Sequence, residues 1–524
     1  MDMRLAPPRP VRRFAAIAAL VLAGPAVAQS APIHGVRPAR LAIRNALVVE
    51  GNGTPATGPW DILVEGNRIV AMVPLDPVAV KNGRQRRPAA EVEIDATGKY
   101  VLPGLINIHA HLQNERGGIP QPYAYQFKLW LASGITTVRD VSAGSDPREF
   151  LALKDQSARG QLEAPRLFIY AGYSFQPRGG NIDQVAEGRR TTEEVRAKVR
   201  ELKQIGVDGI KVTGLDRDQM EPLLDEAHRQ GLRVAHHAGV EETNAWDDIR
   251  FGTSSIEHWY GIPDAAIPDG VQDFPPDYNY SDEVDRFRYA GHLWREADPG
   301  RLSMVLDSMI AHHVAWNPTL VIYEASRDLQ RAQTQPWFRD YLHPTLEQYF
   351  KPDPANHGSY FLGWTSTDET FWKENYRIWM AALKEFGRRG GLIGVGEDAG
   401  FIYQMYGFGV IREMELQQEA GFHPLKVIEH ATLDNARILG EEANLGRVRT
   451  GHLADLIVVN GNPLENLKVL YPTGVDVVVD GKEIHTGGVE WTIKDGIPYN
   501  GPRLMREVKE MVAAARAARP GSRE

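Results

Sequence analysis

Cysteine is absent from all 524 residues of the chain, so disulfide bridges and thiolate metal ligands are excluded. An excess of basic residues is also missing. The 59 Lys and Arg against 68 Asp and Glu give a formal net charge of −9, which argues against nucleic acid as a partner. We expect no membrane span after the N-terminal segment, a small-molecule substrate, and histidine and carboxylate ligands for any metal. Homo-oligomerisation is left open.

The first 28 residues have the pattern of a secretory signal peptide. A basic segment ending at Arg12 and Arg13 precedes the apolar run 14–24, and Ala26-Val27-Ala28 fits a cleavage site. We expect cleavage after Ala28 and a periplasmic or secreted mature protein.

Both ends of the mature chain are rich in short β patterns. Residues 38–100 contain apolar segments joined by the tight-turn dipeptide Gly66-Asn67, and residues 447–497 repeat this texture. The pattern predicts one small β-sandwich domain built from both termini. Residues 498–524, which mix alanines with charges of both signs, predict a C-terminal helical tail.

The middle of the chain, residues 101–446, alternates apolar strands with amphipathic helices. This order predicts an α/β fold, a (β/α)₈ TIM-like barrel with its site at the carboxyl ends of the strands. The predicted strands are 101–112, 135–141, 166–172, 207–213, 233–238, 255–259, 314–321 and 392–397. Two long insertions, 260–312 and 322–391, show no continuous periodicity, and we expect them to form a lid or pocket walls.

A His-Ala-His motif ends the first predicted strand. Side chains two apart in a strand share a face, so His109 and His111 can hold one divalent cation. Asp398, at the end of the last predicted strand, can bind the same ion and accept a proton from water. Glu397, one position earlier, should face away.

Three other strand ends carry ligand-type residues. Lys211 closes its strand, and carbamylation by CO₂ would turn it into an anionic bridging ligand; an ion-paired or substrate-binding lysine is the alternative. His236 and His237 are adjacent, so only one can face the mouth. We favour His237, with His236 as the alternative. His258 is the fourth histidine in barrel order.

These motifs resemble the amidohydrolase superfamily, specifically its binuclear members with a carbamylated lysine in the prolidase-like and imidazolonepropionase-like branch. The matching segments are 102–111, 134–141, 210–214, 255–258, 397–400, 431–437 and 451–456. The resemblance implies two divalent ions, zinc by default, and it implies the following ligands. His109, His111 and Asp398 bind one ion, His237 and His258 bind the other, and carbamylated Lys211 bridges them.

The resemblance also implies a reaction. A hydroxide between the ions attacks a carbonyl, and Asp398 shuttles the proton to the leaving amine. We expect hydrolysis of a C–N bond in a dipeptide or an N-acyl amino acid. A deaminase, or a hydrolase of a cyclic amide, lactone or ester, is the alternative on this scaffold, and a non-catalytic binding protein is a more remote one. Candidate substrate contacts are Tyr260 and, for a free carboxylate, Arg139, Arg178 and Arg286.

Overall fold

The computed structural model describes residues 33–143, 146–173, 190–238, 243–268, 282–354 and 356–518. The predicted signal peptide and the candidate contact Arg178 lie outside these residues. Within the described part, no helix has the length and apolar composition needed to cross a membrane.

The strands of the described residues belong to two larger sheets and two hairpins. In chain order they are β1 (Arg40–Val48), β2 (Thr57–Glu65), β3 (Arg68–Pro74), β4 (Val92–Asp95), β5 (Tyr100–Pro103), β6 (Leu105–Ala110), β7 (Glu115–Arg116), β8 (Ile119–Pro120), β9 (Ile135–Asp140), β10 (Arg166–Tyr173), β11 (Gly209–Thr213), β12 (Arg233–His237), β13 (Ser255–Glu257), β14 (Ala315–Asn317), β15 (Leu456–Val459), β16 (Val475–Val479), β17 (Lys482–Thr486), β18 (Val489–Lys494) and β19 (Ile497–Asn500).

The helices cover the barrel, fill the insertions and end the described chain. They are α1 (Pro77–Lys81), α2 (Tyr123–Ala132), α3 (Arg148–Ala158), α4 (Thr192–Ile205), α5 (Arg217–Arg229), α6 (Ala245–Phe251), α7 (Glu283–Glu296), α8 (Pro299–Ala311), α9 (Glu324–Arg327), α10 (Leu329–Gln333), α11 (Phe338–Tyr341), α12 (Pro344–Tyr349), α13 (Ser366–Arg388), α14 (Phe408–Glu419), α15 (Pro424–Glu429), α16 (Asn435–Leu439) and α17 (Gly501–Ala517). Short 3₁₀ turns lie at Asp264–Ala266, Leu320–Tyr323 and Leu467–Leu470, and a π-helical turn lies at His430–Asp434.

Strands from both ends of the chain form one eight-stranded sheet, in the order β19-β18-β15-β5-β1-β2-β3 with β4 beside β1. The sheet folds back on itself. Near its far edge, the N–H of Ile69 in β3 donates to the carbonyl of His452 at 3.0 Å, and the N–H of Ala454 donates to the carbonyl of Asn67 at 2.8 Å. Apolar side chains of β1, β2, β15 and β18 share one core inside this fold. The predicted β-rich domain, separate from the barrel, is confirmed.

Seven parallel strands form the barrel in the order β14-β13-β12-β11-β10-β9-β6. The predicted eighth strand is an irregular segment that forms one parallel β-bridge, between Ile393 and Trp316, but it closes the ring of strands. The N–H of Trp316 donates to the carbonyl of Leu392 at 2.9 Å, and the N–H of Ile108 donates to the carbonyl of Val395 at 3.1 Å. The TIM-like barrel is therefore confirmed.

The predicted first strand, 101–112, is divided into two strands that belong to different sheets. β5 lies in the terminal sheet and β6 begins the barrel. The break falls at Gly104, where a Cβ atom would meet the Oγ1 of Thr136 at 2.2 Å. Only glycine permits this close approach, because any side chain there would displace Thr136.

The described residues of the insertions are largely helical, although the sequence shows no continuous periodicity there. The longest helix, α13, begins with a capping box formed by Thr365 and Asp368. Its buried residues Trp372, Tyr376 and Trp379 follow helical spacing, and both tryptophans pack against the ring of Tyr323. Charged residues between these aromatics obscured the pattern.

Candidate metal centre

Two histidines at the end of β6 and one carboxylate after the last barrel segment converge on one point. Asp398 Oδ1 lies 2.8 Å from His111 Nε2 and 3.6 Å from His109 Nε2. The N–H of Asp398 donates to the carbonyl of His109 at 2.9 Å, which holds the loop against β6. Within the described residues, these three side chains offer ligand atoms that all lie within 4.8 Å of one another, a spacing that can hold a metal ion.

Lys211, His237 and His258 form the other side of the cluster. The ring of His258 lies 4.7 Å from the ring of His237 and 4.7 Å from that of His109, centroid to centroid. His258 Nε2 is 3.8 Å from Asp398 Oδ2. Lys211 is 6% exposed, and its Nζ atom has no hydrogen-bond partner among the described residues. The structure thus brings all six predicted ligands together at one end of the barrel.

Two buried groups orient the histidines. Glu257 Oε2 accepts from His109 Nδ1 at 2.6 Å. Thr319 Oγ1 donates to the carbonyl of Pro318, so it accepts from His258 Nδ1, at 2.5 Å. An Nδ1–H held in this way leaves the Nε2 lone pair free to bind a metal. Sequence reasoning missed both groups, although Glu257 directly precedes His258.

Burial lowers the pKa of three site histidines, His109, His237 and His258. Burial and the nearby positive charge of Lys211 lower the pKa of His109 to about 4. Burial and neighbouring cationic groups likewise hold the pKa of His237 and His258 well below its ordinary value. For Asp398, burial acts to raise the pKa, but the surrounding histidines hold it well below its usual range. Neutral imidazoles and an ionised carboxylate are the states that bind divalent cations, so this donor set fits a metal.

The two adjacent histidines of β12 face opposite sides, as strand alternation predicts. His236 Nδ1 lies 2.8 Å from Asp248 Oδ1, on helix α6 outside the barrel. His237 instead stacks on the ring of Tyr260 at 4.4 Å. The structure therefore brings His237, and not His236, to the cluster.

Glu397 faces away from the cluster. One of its oxygens accepts from Trp130 Nε1 at 2.6 Å, and the other accepts from the N–H of Gly407 at 2.7 Å, at the start of α14. Burial raises the pKa of Glu397 to about 8. Its role in the fold is to tie the loop after Asp398 to the helix that follows.

The structure does not bring Arg139 to the open mouth. Arg139 is 1% exposed and donates to Glu257 Oε1 at 2.6 Å and to Ser255 Oγ at 3.2 Å. This pair lies behind His109, so the proposal of Arg139 as a carboxylate contact is corrected to a buried counter-ion of Glu257.

Tyr260 does lie at the cluster. It is 5% exposed, it stacks on His237, and its hydroxyl accepts from Tyr323 at 3.0 Å. The positive charge of Arg286, on α7, is among the influences that lower the pKa of His237, so this candidate contact is electrostatically close to the site.

Comparison with known proteins relates the sequence to one family. The amidohydrolase family profile matches residues 100–272 and 374–484. A dihydroorotase from a Thermoanaerobacter species is 39% identical over 74 residues, 14% of each chain. A 5-methylthioadenosine/S-adenosylhomocysteine deaminase from Thermococcus kodakarensis is 29% identical over 181 residues, 31% of this chain and 38% of the deaminase. The chain therefore spans well under half the length of these curated relatives.

Among solved structures, a Xaa-Pro dipeptidase with methionine bound in its active site superposes with a TM-score of 0.61. The two sequences are 22% identical, and the match covers 88% of this chain and 100% of the dipeptidase chain. Likeness at this level of identity concerns the fold alone.

Proposed function

Because the chain belongs to the amidohydrolase family, we propose that it is a metal-dependent hydrolase that cleaves the C–N bond of a dipeptide or an N-acyl amino acid. In this proposal His109, His111 and Asp398 hold one divalent ion, and His237 and His258 hold a second. Lys211, carbamylated by CO₂, bridges the two, and zinc is the ion that we expect with nitrogen and oxygen ligands.

The observation that carries the proposal is the buried amine of Lys211, which has no hydrogen-bond partner among the described residues and lies beside histidines. An ammonium without a hydrogen bond is unfavourable in such a place. Burial lowers the pKa of Lys211 to about 8, so the fraction present as the neutral amine is larger than for an ordinary lysine. That amine can add to CO₂: an N–C bond forms, a proton is released, and the side chain becomes an anion that suits a site with two cations.

The chain's own residues have separate roles in the proposed reaction. Divalent ions held by these residues would polarise the substrate carbonyl and would lower the pKa of a bound water toward about 7. Asp398, ionised and beside His111, takes the proton of the attacking water and returns it to the leaving nitrogen. Tyr260 covers His237 and forms a wall beside the substrate. Glu257 and Thr319 keep the Nε2 atoms of two histidines turned toward the cluster.

The test combines metal analysis with a substrate panel. Protein produced with zinc and bicarbonate should contain about two ions per chain by elemental analysis, the number that the proposed ligands require. It should hydrolyse members of a panel of dipeptides and N-acyl amino acids. Turnover of adenosine derivatives or dihydroorotate alone would replace the proposal by the deaminase or cyclic-amide alternative. Failure to bind metal and to turn over any compound would favour a binding protein.

Export remains a prediction from residues 1–28. Determining the N-terminal residue of protein recovered from the periplasm tests it: a mature chain that begins at Gln29 is the expected result, and an intact Met1 contradicts it.

A further inference from the structure

A cation that sequence reasoning did not single out lies beside the cluster. Arg116 is in the β7–β8 hairpin, which follows the His-Ala-His strand and turns at Gly117 and Gly118, with φ of 55° and 74°. Arg116 is half-buried. Its hydrogen bonds within the described part of the chain go to neutral groups, Gln113 Oε1 and the hydroxyl of Tyr349, and no described carboxylate pairs with it. A half-buried guanidinium without a counter-ion among the described residues can bind an anion through its N–H donors.

Aromatic rings fix the position of this guanidinium. Its central carbon lies 4.5 Å from the ring centroid of Phe401 and 4.8 Å from that of Tyr349. Contact with ring faces stabilises the cation and restrains the plane of its fork. The Nε atom of Arg116 donates to Gln113 Oε1, and its NH2 nitrogen donates to none of the described residues. Arg116 therefore already has a defined orientation and an unused donor.

Only one ring separates Arg116 from the metal ligands. The Phe401 ring lies 5.0 Å from the ring of His111, and Phe401 is in the loop that begins with Asp398. The side chain of His111 is 21% exposed, so solvent reaches the cluster on this side. A group held by the cluster and a second group held by Arg116 can therefore belong to the same small molecule.

We infer that Arg116 binds a carboxylate of the substrate and so restricts the substrates to amides whose leaving amine carries a free carboxylate. The inference rests on the proposed function and assigns the residue that recognises its substrate class. In N-acyl amino acids and dipeptides, the carboxylate lies a few bonds beyond the scissile carbonyl. A planar guanidinium pairs with such a group through two parallel N–H···O bonds. An arginine that only ties the hairpin to Tyr349 would not distinguish an acid from its amide.

The experiment compares N-acetyl-L-leucine with N-acetyl-L-leucinamide. Equilibrium binding is measured by calorimetry on zinc-loaded protein carrying Asp398→Asn, which slows turnover, with and without Arg116→Met. The acid should bind roughly 10- to 100-fold more tightly than the amide, because this factor corresponds to the free energy of one charge-assisted hydrogen bond. Arg116→Met should weaken binding of the acid by that factor and leave the amide unchanged. Arg116→Lys should retain part of the preference, and Arg148→Met, at an exposed arginine with a 69% exposed side chain, should retain all of it.

Two results would overturn the inference: no preference for the acid in the parent protein, or equal weakening of acid and amide by Arg116→Met. Turnover of the wild-type protein is measured separately on the same pair. A preference that depends on Arg116 without turnover contradicts the proposed reaction but not carboxylate binding. Turnover with a preference that survives Arg116→Met contradicts the role of Arg116 alone.

Discussion

Replacing Glu257 by glutamine should weaken metal binding or destabilise the fold, although Glu257 is not one of the proposed ligands. Its Oε2 accepts from His109 Nδ1 and Asn317 Nδ2, and its Oε1 accepts from Arg139 and Ser255, each at 2.6 Å. A glutamine amide keeps only one acceptor oxygen and presents N–H donors in place of the other. Either His109 or Arg139 therefore loses its partner.

The size of the effect follows from which partner is lost. If the amide nitrogen faces His109, Nδ1 must become an acceptor and the proton moves to Nε2, where it blocks the lone pair. Losing such a partner typically lowers metal affinity by about 10- to 100-fold. If the amide nitrogen faces Arg139, a guanidinium that is 1% exposed loses its counter-ion, and the free energy of unfolding falls by about 3–5 kcal/mol.

The assay is zinc affinity by competition with a chromophoric chelator, together with urea unfolding of the metal-free protein. Glu226→Gln, at a buried carboxylate on α5, is the matched control and should change zinc affinity little. The double variant Arg139→Met/Glu257→Gln removes the orphaned charge, so it should recover the stability that the single variant loses. Wild-type zinc affinity together with wild-type stability in Glu257→Gln would refute the reasoning.

Three further predictions concern the proton shuttle, the bridging lysine and a buried acid. Asp398→Asn should lower kcat by about 10²- to 10⁴-fold, which is the contribution of general acid–base catalysis. The control is Asp480→Asn, at an exposed turn where φ is 50°, close to the 49° of Asp398, and it should leave kcat unchanged. Lys211→Ala should contain fewer ions per chain than the wild type by elemental analysis, and unchanged content would contradict the bridging role. Burial raises the pKa of Glu413 to about 8 from its ordinary 4.5, so the folded state holds the proton more tightly. That stabilisation is complete below about pH 4.5 and is lost as pH rises through 8. Between these values the free energy of unfolding should fall by up to about 1.4 kcal/mol per pH unit. Glu413→Gln should remove this slope in urea titrations between pH 4.5 and 8.

The positions of the ligands could be predicted because two simple rules fix them. Alternation along a strand determines which side chains share a face, so His109 goes with His111, and His237 is separated from His236. The carboxyl ends of parallel strands meet at one rim, so Asp398 could be assigned to the same site despite its distance in sequence.

Other features depend on contacts that no local pattern records. The position of Arg139 in β9 does not reveal that Glu257, on another strand, lies inside the barrel and pairs with it. The position of Arg116 in a polar loop does not reveal the rings of Tyr349 and Phe401 on either side. In the insertions, the aromatics of α13 were separated by charges, and the capping residue Thr365 was the signal that could have located the helix.

The arrangement of β5 has a consequence for how the chain is made. β5 pairs with β1 on one side and with β15 on the other, and β15 is encoded far downstream. At ribosomal rates of 5–20 residues per second, the roughly 350 residues between them take about 20–70 s to appear. During that time β5 presents an open, apolar strand edge, which is a template for pairing with other chains. A strand that is synthesised much later than β5 is thus the one that covers this edge.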